Sequence, residues 1–292
     1  MDLHLRHVTT YQYAGPVQFG PHRLMLRPRD SFDLRILETQ LDIFPNAELH
    51  WSHDVYGNPI CVATFAGMAD RLEITSGLVL RRYASAFPRA HTTAGAAFVP
   101  HYSDGERIVL QPFLVPASGD EGGVLAAWIA SALSGNAQDL DPLSRLSRAI
   151  HAGFGYAVRY EEGTQTPTQT LDLKSGSCRD LAWLFIEAVR RLGYAARFVT
   201  GYLHDGQADP WQRSAAGLTH AWAEVFIPGD GWVEFDPTNA LVADPHLIRV
   251  AVARVPWDAS PVSGSFIGPV GALISLSVGV DIAPTESYAS VA

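Results

Sequence analysis

Cysteine is scarce in this sequence, because only Cys61 and Cys178 occur among its 292 residues. Two cysteines so far apart build no disulfide framework, and no Cys-x-x-Cys pair is present to begin a zinc site. A single bridge between them stays formally open, although a reducing compartment disfavours it. Each cysteine is therefore either a side chain packed in the core or a reactive thiol, and the two are considered separately.

Basic residues and long apolar runs are also in short supply. The chain has 21 Lys and Arg against 30 Asp and Glu, a net charge of -9, and no long basic run. Such a surface repels a phosphate backbone, so no nucleic-acid partner is expected. No stretch reaches the length of about 18 apolar residues that spans a bilayer, and residues 1–8 lack the basic and apolar regions of a signal peptide. We therefore expect no membrane association and a cytoplasmic location.

Metal-ligand spacing is missing as well, despite the 11 histidines. The pairs His4/His7 and His50/His53 have no carboxylate or thiolate at the spacing of a metal site. No calcium loop of the Asp-x-Asp-x-Asp-Gly kind is found either. We predict no metal and no cofactor.

The first third of the chain predicts an antiparallel β domain, which we assign to residues 1–115. Alternating segments rich in β-branched and aromatic residues predict its strands. Gly15-Pro16 is expected to break the first strand, Tyr56-Gly57-Asn58-Pro59 to form a turn, and Cys61 to be a buried core thiol. The predicted strands are Leu3–Val8, Thr9–Tyr13, His22–Arg27, Leu34–Phe44, Ile60–Phe65, Arg71–Ser76 and Leu78–Tyr83.

A connecting region follows from Ala84 to Gly123, where the periodicity fades and four prolines occur. The second domain is assigned to residues 116–292. Helices are predicted over Val124–Leu133 and over Asp141–His151, the latter with Asp141 as N-cap and proline in the first helical position. Strands followed by mixed helices and strands indicate an α+β fold.

Cys178 stands at the start of a predicted apolar helix. After Gly176-Ser177, apolar residues recur at helical spacing, and Gly193 ends the pattern. Unpaired backbone N–H groups and the positive end of the helix dipole favour a thiolate there. Such surroundings lower a cysteine pKa from about 8.5 to roughly 3.5–7.5. This segment alone leaves open whether Cys178 is a nucleophile or a small apolar residue.

Two later stretches predict a β-hairpin that brings His220 to Asp236. Alternation places His220 on one face of the first strand and Asp236 on one face of the next. If Phe226 pairs with Asp230, His220 lies directly opposite Asp236, within reach of a hydrogen bond. A register one residue away would turn Asp236 to the other face. The same register sets Trp222 opposite Glu234 and Glu224 opposite Trp232.

Four motifs in this order resemble the transglutaminase-like superfamily, in particular its bacterial members with a separate N-terminal β domain. The N-terminal pattern of His7, Tyr11 and Tyr13, followed by residues 54–58, is also similar to that family. Residues 250–258 depart from the Gly-Arg-Asp-Tyr-like segment expected of it. The four motifs are Gly176-Ser-Cys178-Arg-Asp180, Arg197-Phe-Val-Thr-Gly-Tyr202, His220-Ala-Trp-Ala-Glu224 and Gly231-Trp-Val-Glu-Phe-Asp236-Pro-Thr238.

The resemblance implies a papain-like core in which the nucleophile helix packs on an antiparallel sheet. It implies that Cys178 is the nucleophile, His220 the general base and then acid, and Asp236 the residue that orients the imidazole. The expected reaction is hydrolysis of an amide in a peptide, protein or small molecule through a thioester. Transfer of the acyl group to an amine is the alternative, and a non-catalytic binding module on the same fold is a second one.

Three further residues are candidates for substrate binding. Trp222 and Trp183 would line the cleft, although aromatic residues beside a buried helix and strand more often serve packing. Arg179 would meet an acidic substrate group or be solvated.

Overall fold

Two antiparallel sheets with a shared core make up the N-terminal part. The computed structural model describes residues 1–83, 99–134, 141–159, 162–204 and 219–285. Residues 2–19, 34–44 and 68–82 form strands of the first sheet, and residues 22–24, 47–53 and 59–65 form those of the second. Tyr13, Val17, Leu72 and Cys61 belong to the core between them. The strands are β1 (Asp2–Phe19), β2 (His22–Leu24), β3 (Leu34–Phe44), β4 (Ala47–His53), β5 (Pro59–Phe65) and β6 (Met68–Arg82).

The strand predictions hold where the alternation is clear and differ where a residue type suggested a break. β1 continues through Gly15-Pro16, because its pairing with β6 jumps at this point from Gln12 to Val17. Such an irregularity absorbs a proline within a strand. The two strands predicted over 71–83 are one strand, and β4 was not predicted, because nearly all its side chains are exposed and give no alternation.

The part of the chain that follows β6 contains five α-helices and a five-stranded antiparallel sheet within the described ranges. From one edge to the other, the strands of this sheet cover residues 241–242, 231–236, 220–227, 196–203 and 247–253. The helices are α1 (Asp104–Leu114), α2 (Val124–Leu133), α3 (Pro142–Gly153), α4 (Pro167–Leu173) and α5 (Cys178–Arg191). The strands are β7 (Gly155–Tyr156), β8 (Ser175–Gly176), β9 (Ala196–Leu203), β10 (His220–Ile227), β11 (Gly231–Asp236), β12 (Leu241–Val242) and β13 (Leu247–Ala253).

Helix α5 is the buried centre of this part of the chain. Its apolar residues pack against inward-facing side chains of β9, β10 and β11. Phe185 of the helix stacks on Phe235 of the sheet, with ring centroids 5.5 Å apart. The α+β class and the packing of this helix on an antiparallel sheet are thus confirmed.

The region predicted as a connector contains a helix. Residues 84–98 lie outside the described residues, but α1 follows them and begins with a capping box formed by Ser103 and Glu106. Pro112, which suggested a loop, stands in its last turn. The two helices predicted next are confirmed, and Asp141 caps the second by accepting the N–H groups of Leu143 and Ser144.

The C-terminal strands return to the N-terminal sheets. β14 (Val262–Ser263) pairs with β2, β15 (Phe266–Ile267) with the end of β1, and β16 (Leu273–Pro284) along most of β1. The domain limits of 1–115 and 116–292 stay a prediction. Both cysteines are free. No helix within the described ranges is long and apolar enough to cross a membrane.

Candidate active site

Cys178 is the first residue of α5, as predicted, and the residue is 7 % exposed. Ser177 occupies the N-cap in an extended conformation. The Asp180 carboxylate one turn into the helix accepts the backbone N–H and the hydroxyl of Ser177, both at 2.8 Å. The residue before the thiol is therefore held by two hydrogen bonds to the helix it begins.

Asp180 complements the helix dipole from the first turn of α5, and it also holds segments outside the helix. Its carboxylate is fully buried and forms an ion pair with Arg159 at 2.7 Å. It also accepts a hydrogen bond from the backbone N–H of Gln165 at 2.7 Å. A Cβ atom on Gly176 would lie 2.7 Å from the Cβ of Asp180, so only glycine fits beside it. Asp180 thus ties the loop before α4 and the strand before Cys178 to one point.

His220 and Asp236 meet in the interior, where both are almost completely buried. His220 donates from Nε2 to Oδ2 of Asp236 across 2.8 Å. The carboxylate also accepts the backbone N–H of Thr238 at 2.9 Å and the side-chain amide of Asn239 at 2.7 Å. A buried carboxylate with this many donors is held in one orientation.

The predicted register of this hairpin is wrong by two residues. Ile227 pairs with Gly231, so that Glu224, and not Trp222, lies opposite Glu234. Residues 228–230 form a tight turn, and both Gly229 in the turn and Gly231 at its end have positive φ. The predicted pairing of residues 226 and 230 assumed a turn one residue earlier at each end and did not consider these glycine conformations. A shift by two preserves the faces of both strands, so His220 and Asp236 still meet, diagonally instead of directly.

The electrostatics of this pair favour a charged imidazole. Burial opposes the charge, but the charge and hydrogen bond of Asp236, with a smaller contribution from Cys178, outweigh burial and raise the pKa of His220 to about 10. Burial by itself would raise the pKa of Asp236, yet its interaction with His220 and its other donors hold it below the ordinary value. The site therefore keeps an imidazolium beside a carboxylate at neutral pH.

The Cys178 side chain approaches the same imidazole. Nε2 is occupied by Asp236, and Nδ1 is buried without a hydrogen-bond partner of regular geometry among the described residues. The thiol nevertheless lies close enough to raise the pKa of His220. Nδ1 is thus the nitrogen left to face the sulfur.

Tyr156 is a residue of this region that sequence reasoning missed. β7 pairs in parallel with β8, which sets Tyr156 beside Gly176, two residues before Cys178. Burial raises the pKa of its phenol, the Cys178 charge raises it further, Arg179 lowers it and Asp236 raises it. The half-buried tyrosine therefore faces the same cluster. The Phe-Gly-Tyr stretch after α3 carried no signal for this, because a two-residue strand has no periodicity.

The three candidates for substrate binding occupy different surroundings. Trp222 is fully buried and stacks on His220, with ring centroids 5.9 Å apart. Trp183 is buried between Trp257 and the guanidinium of Arg190. Arg179 is half-buried next to Cys178. A binding role for these residues stays a prediction.

A separate charged cluster lies on the face of the sheet that also carries His220 and Trp222. Glu224 is fully buried and pairs with Arg197 and Arg249. Burial, together with the neighbouring Glu224 charge, raises the pKa of Glu234 to about 8. Both carboxylates line a cavity of about 350 Å³ under residues 29–34, whose lining includes no member of the Cys178, His220 and Asp236 group.

Two family descriptions match this chain in sequence. Residues 3–81 match the bacterial transglutaminase-like N-terminal region, and residues 127–237 match the transglutaminase-like superfamily. The chain thus resembles the transglutaminase-like superfamily over its core and the bacterial N-terminal region of that family before it. The second match includes all three residues proposed for catalysis.

Relatives of similar length extend the comparison over nearly the whole chain. An uncharacterized protein of Mycobacterium tuberculosis (strain H37Rv) is 27 % identical over 302 residues, covering 97 % of this chain and 93 % of its own. One of Mycobacterium leprae is 21 % identical over 266 residues, covering 90 % of this chain and 92 % of its own.

A solved structure shares the fold. It is that of a proposed cysteine protease from Cytophaga hutchinsonii, with a TM-score of 0.68 and 20 % identity. The match covers 98 % of this chain and 91 % of that one. At this identity the likeness concerns the fold, which includes the N-terminal sheets as well as the core.

Proposed function

We propose that this protein is a cysteine-dependent amide hydrolase, a peptidase or amidase, in which Cys178, His220 and Asp236 form the catalytic triad. The observation that carries the proposal is the buried 2.8 Å bond between His220 and Asp236, with the thiol of Cys178 facing the same imidazole. A catalytic triad consists of a nucleophile, a base next to it and a carboxylate that orients the base, and these three side chains supply those groups.

The first half of the reaction uses the charged imidazole. The Cys178 thiolate attacks the carbonyl carbon, and a carbon–sulfur bond forms as the carbonyl oxygen becomes an oxyanion. When the carbon–nitrogen bond breaks, the His220 imidazolium gives its Nδ1 proton to the leaving amine, and a thioester remains. Asp236 holds the ring so that the proton points at this amine.

The second half uses the neutral imidazole as a base. His220 removes a proton from water, the resulting hydroxide attacks the thioester, and the carbon–sulfur bond breaks to release a carboxylic acid and the thiolate. His220 is again protonated, which restores the starting pair. The backbone N–H of Cys178 at the start of α5 is a donor for the oxyanion of both steps, an interaction worth about 3 kcal/mol in comparable sites.

Trapping of the acyl-enzyme tests the proposal. The full chain is mixed with a panel of glutamine-containing peptides and small amides, quenched in acid within seconds and measured by mass spectrometry. A mass increase on Cys178 that disappears with time, together with release of ammonia or a shortened peptide, is expected. Hydrolysis that persists in Cys178→Ala would overturn the assignment.

An amine probe distinguishes hydrolysis from acyl transfer. The same incubation with a primary amine offers the thioester two acceptors, and product release to water should exceed amine incorporation. Incorporation that outpaces ammonia or peptide release would make the protein a transglutaminase and not a hydrolase. Absence of both, with an unreactive Cys178, would favour a binding module.

A further inference from the structure

The turn after β11 carries a side chain back over the proposed triad. Residues 237–240 form this turn, because Asp236 pairs with Leu241 on β12. Oδ1 of Asp236 closes it by accepting the backbone N–H of Thr238 at 2.9 Å and that of Asn239 at 3.4 Å, a common use of aspartate in turns. The backbone thus determines where the Asn239 amide lies.

Asn239 shares one carboxylate oxygen with the imidazole. Its Nδ2 donates to Oδ2 of Asp236 at 2.7 Å, and the same oxygen accepts Nε2 of His220 at 2.8 Å. Nδ2 and Nε2 are 3.4 Å apart, but both act as donors in this arrangement, so they do not bond each other. The two donors therefore divide the acceptor capacity of Oδ2.

We propose that Asn239 is a positioning residue of the triad, which fixes the Asp236 carboxylate and weakens its hold on the His220 proton. A hydrogen bond to a carboxylate stabilises its charged form and lowers its basicity. A less basic Asp236 holds the imidazolium less firmly, so the Nδ1 proton is more readily transferred. The proposal rests on the proposed function, and Asn239 lies outside residues 127–237 that match the superfamily.

Other groups around the imidazole carry charge and are unchanged by substitutions at Asn239. Cys178 faces the ring from α5, and Tyr156 from β7 faces Cys178 and Asp236, with Arg179 beside them. Trp222 on β10 stacks on the ring and carries no charge. A change in the His220 titration after substitution of Asn239 is therefore attributable to Asp236 or to a charge added at residue 239.

The test compares Asn239→Ala and Asn239→Asp with the native full-length chain. The His220 titration is followed by NMR with ¹⁵N-labelled histidine, its signal being assigned with His220→Gln, and kcat and KM are measured across pH. In Asn239→Ala we expect the pKa of His220 to rise by about half to one unit and kcat to fall about 10-fold at little change in KM. Asn239→Asp, nearly the same in shape, should raise the pKa further.

Asn46 supplies the matched control, since it is an exposed asparagine in the turn between β3 and β4. Asn46→Ala and Asn46→Asp should leave the His220 titration in place. Loss of kcat without a change in that titration would reduce Asn239 to a structural role and overturn the proposal. If Asn239→Ala does not fold, Asn239→Asp decides by the same criterion.

The titration separates this proposal from the proposed function. A shifted His220 titration in a protein that hydrolyses no amide would support the positioning role and contradict the hydrolase. An active native enzyme with the same titration and kcat in both Asn239 variants would support the hydrolase and contradict the positioning role.

Discussion

The indole ring of Trp222 lies against the imidazole of His220 and donates its Nε1–H to Glu234 across 3.3 Å. The ring planes are inclined by 29° with centroids 5.9 Å apart. One side chain thus supports the proposed general base and is bonded to a carboxylate of the cavity under residues 29–34. His220 is thereby packed on one side by a fully buried aromatic ring that is itself hydrogen-bonded.

This contact predicts different results for two substitutions of Trp222. Trp222→Phe keeps an aromatic ring beside His220 but removes the donor to Glu234, and should reduce the free energy of unfolding by about 1–3 kcal/mol. Trp222→Ala also empties a core site and should reduce it by about 3–5 kcal/mol. Urea denaturation measures both. Equal losses in the two variants would mean that the ring contributes nothing beyond its donor.

The Asp180 carboxylate should be needed for both stability and thiol reactivity. Asp180→Asn leaves Arg159 without its counter-ion and turns an amide toward groups that are themselves donors, so we expect a loss of about 3–5 kcal/mol. Slower alkylation of Cys178 should accompany it, because Ser177 loses its anchor. Asp172→Asn, an exposed acid on α4, is the control for charge. An Asp180→Asn protein with native stability and alkylation rate would contradict this prediction.

Alkylation of Cys178 by iodoacetamide at pH 6 should depend on its two partners. If an imidazolium stabilises the thiolate, the native protein should react at least 10-fold faster than a free thiol, and His220→Ala should remove this enhancement. Asp236→Asn should give an intermediate rate, because the ring remains but its charge is less stable. Cys61, which is fully buried, should react only after unfolding. Ordinary thiol reactivity of native Cys178 would point to the non-catalytic alternative.

Glu234 should make the protein less stable as the pH rises. Its pKa is about 8 in the folded state against 4.5 ordinarily, so the folded state binds more protons between these values. This stabilisation is complete below about pH 4.5 and is lost as pH rises through about 8. Glu234→Gln should remove the slope and be more stable than the native protein above pH 8, by about 1–2 kcal/mol.

Glu224→Gln is the contrasting variant, because Glu224 lies directly opposite Glu234 but has its pKa lowered, against the effect of burial, by Arg197 and Arg249. It should destabilise the protein at neutral pH by leaving two guanidinium groups without their acid. Chemical denaturation at pH 5, 7 and 9 measures both variants. A Glu234→Gln protein that keeps the native pH slope would show that another group is responsible.

Local patterns predicted those parts of the fold that one segment decides by itself. Alternation over 34–44 indicated β3 with its observed ends, and the Asp141-Pro142 start of α3 followed from capping chemistry. The start of α5 at Cys178 followed from a turn and an apolar period. Each of these features depends mainly on neighbours within a few residues, so the local sequence was enough to predict it.

The faces of the two strands of the hairpin were also readable from the sequence, but their register was not. Because side chains alternate along a strand, His220 and Asp236 stay on the same face of the sheet in any register that differs from the predicted one by an even number of residues. The number of residues in the turn depends on the backbone conformation of Gly229 and Gly231, which a one-letter pattern does not specify. The contact between His220 and Asp236 was therefore predicted correctly, although the predicted register was wrong by two residues.

By itself the sequence determined the thiol at a helix start, the faces that bring His220 and Asp236 together, and the α+β order of elements, because these depend on short periods. Only the tertiary structure decided that Tyr156 lies beside Cys178, that Asp180 collects four donors, and that Asn239 shares the carboxylate with His220. The physical reason is that such contacts join irregular segments, where no period relates one residue to the next and position follows from packing of the whole chain.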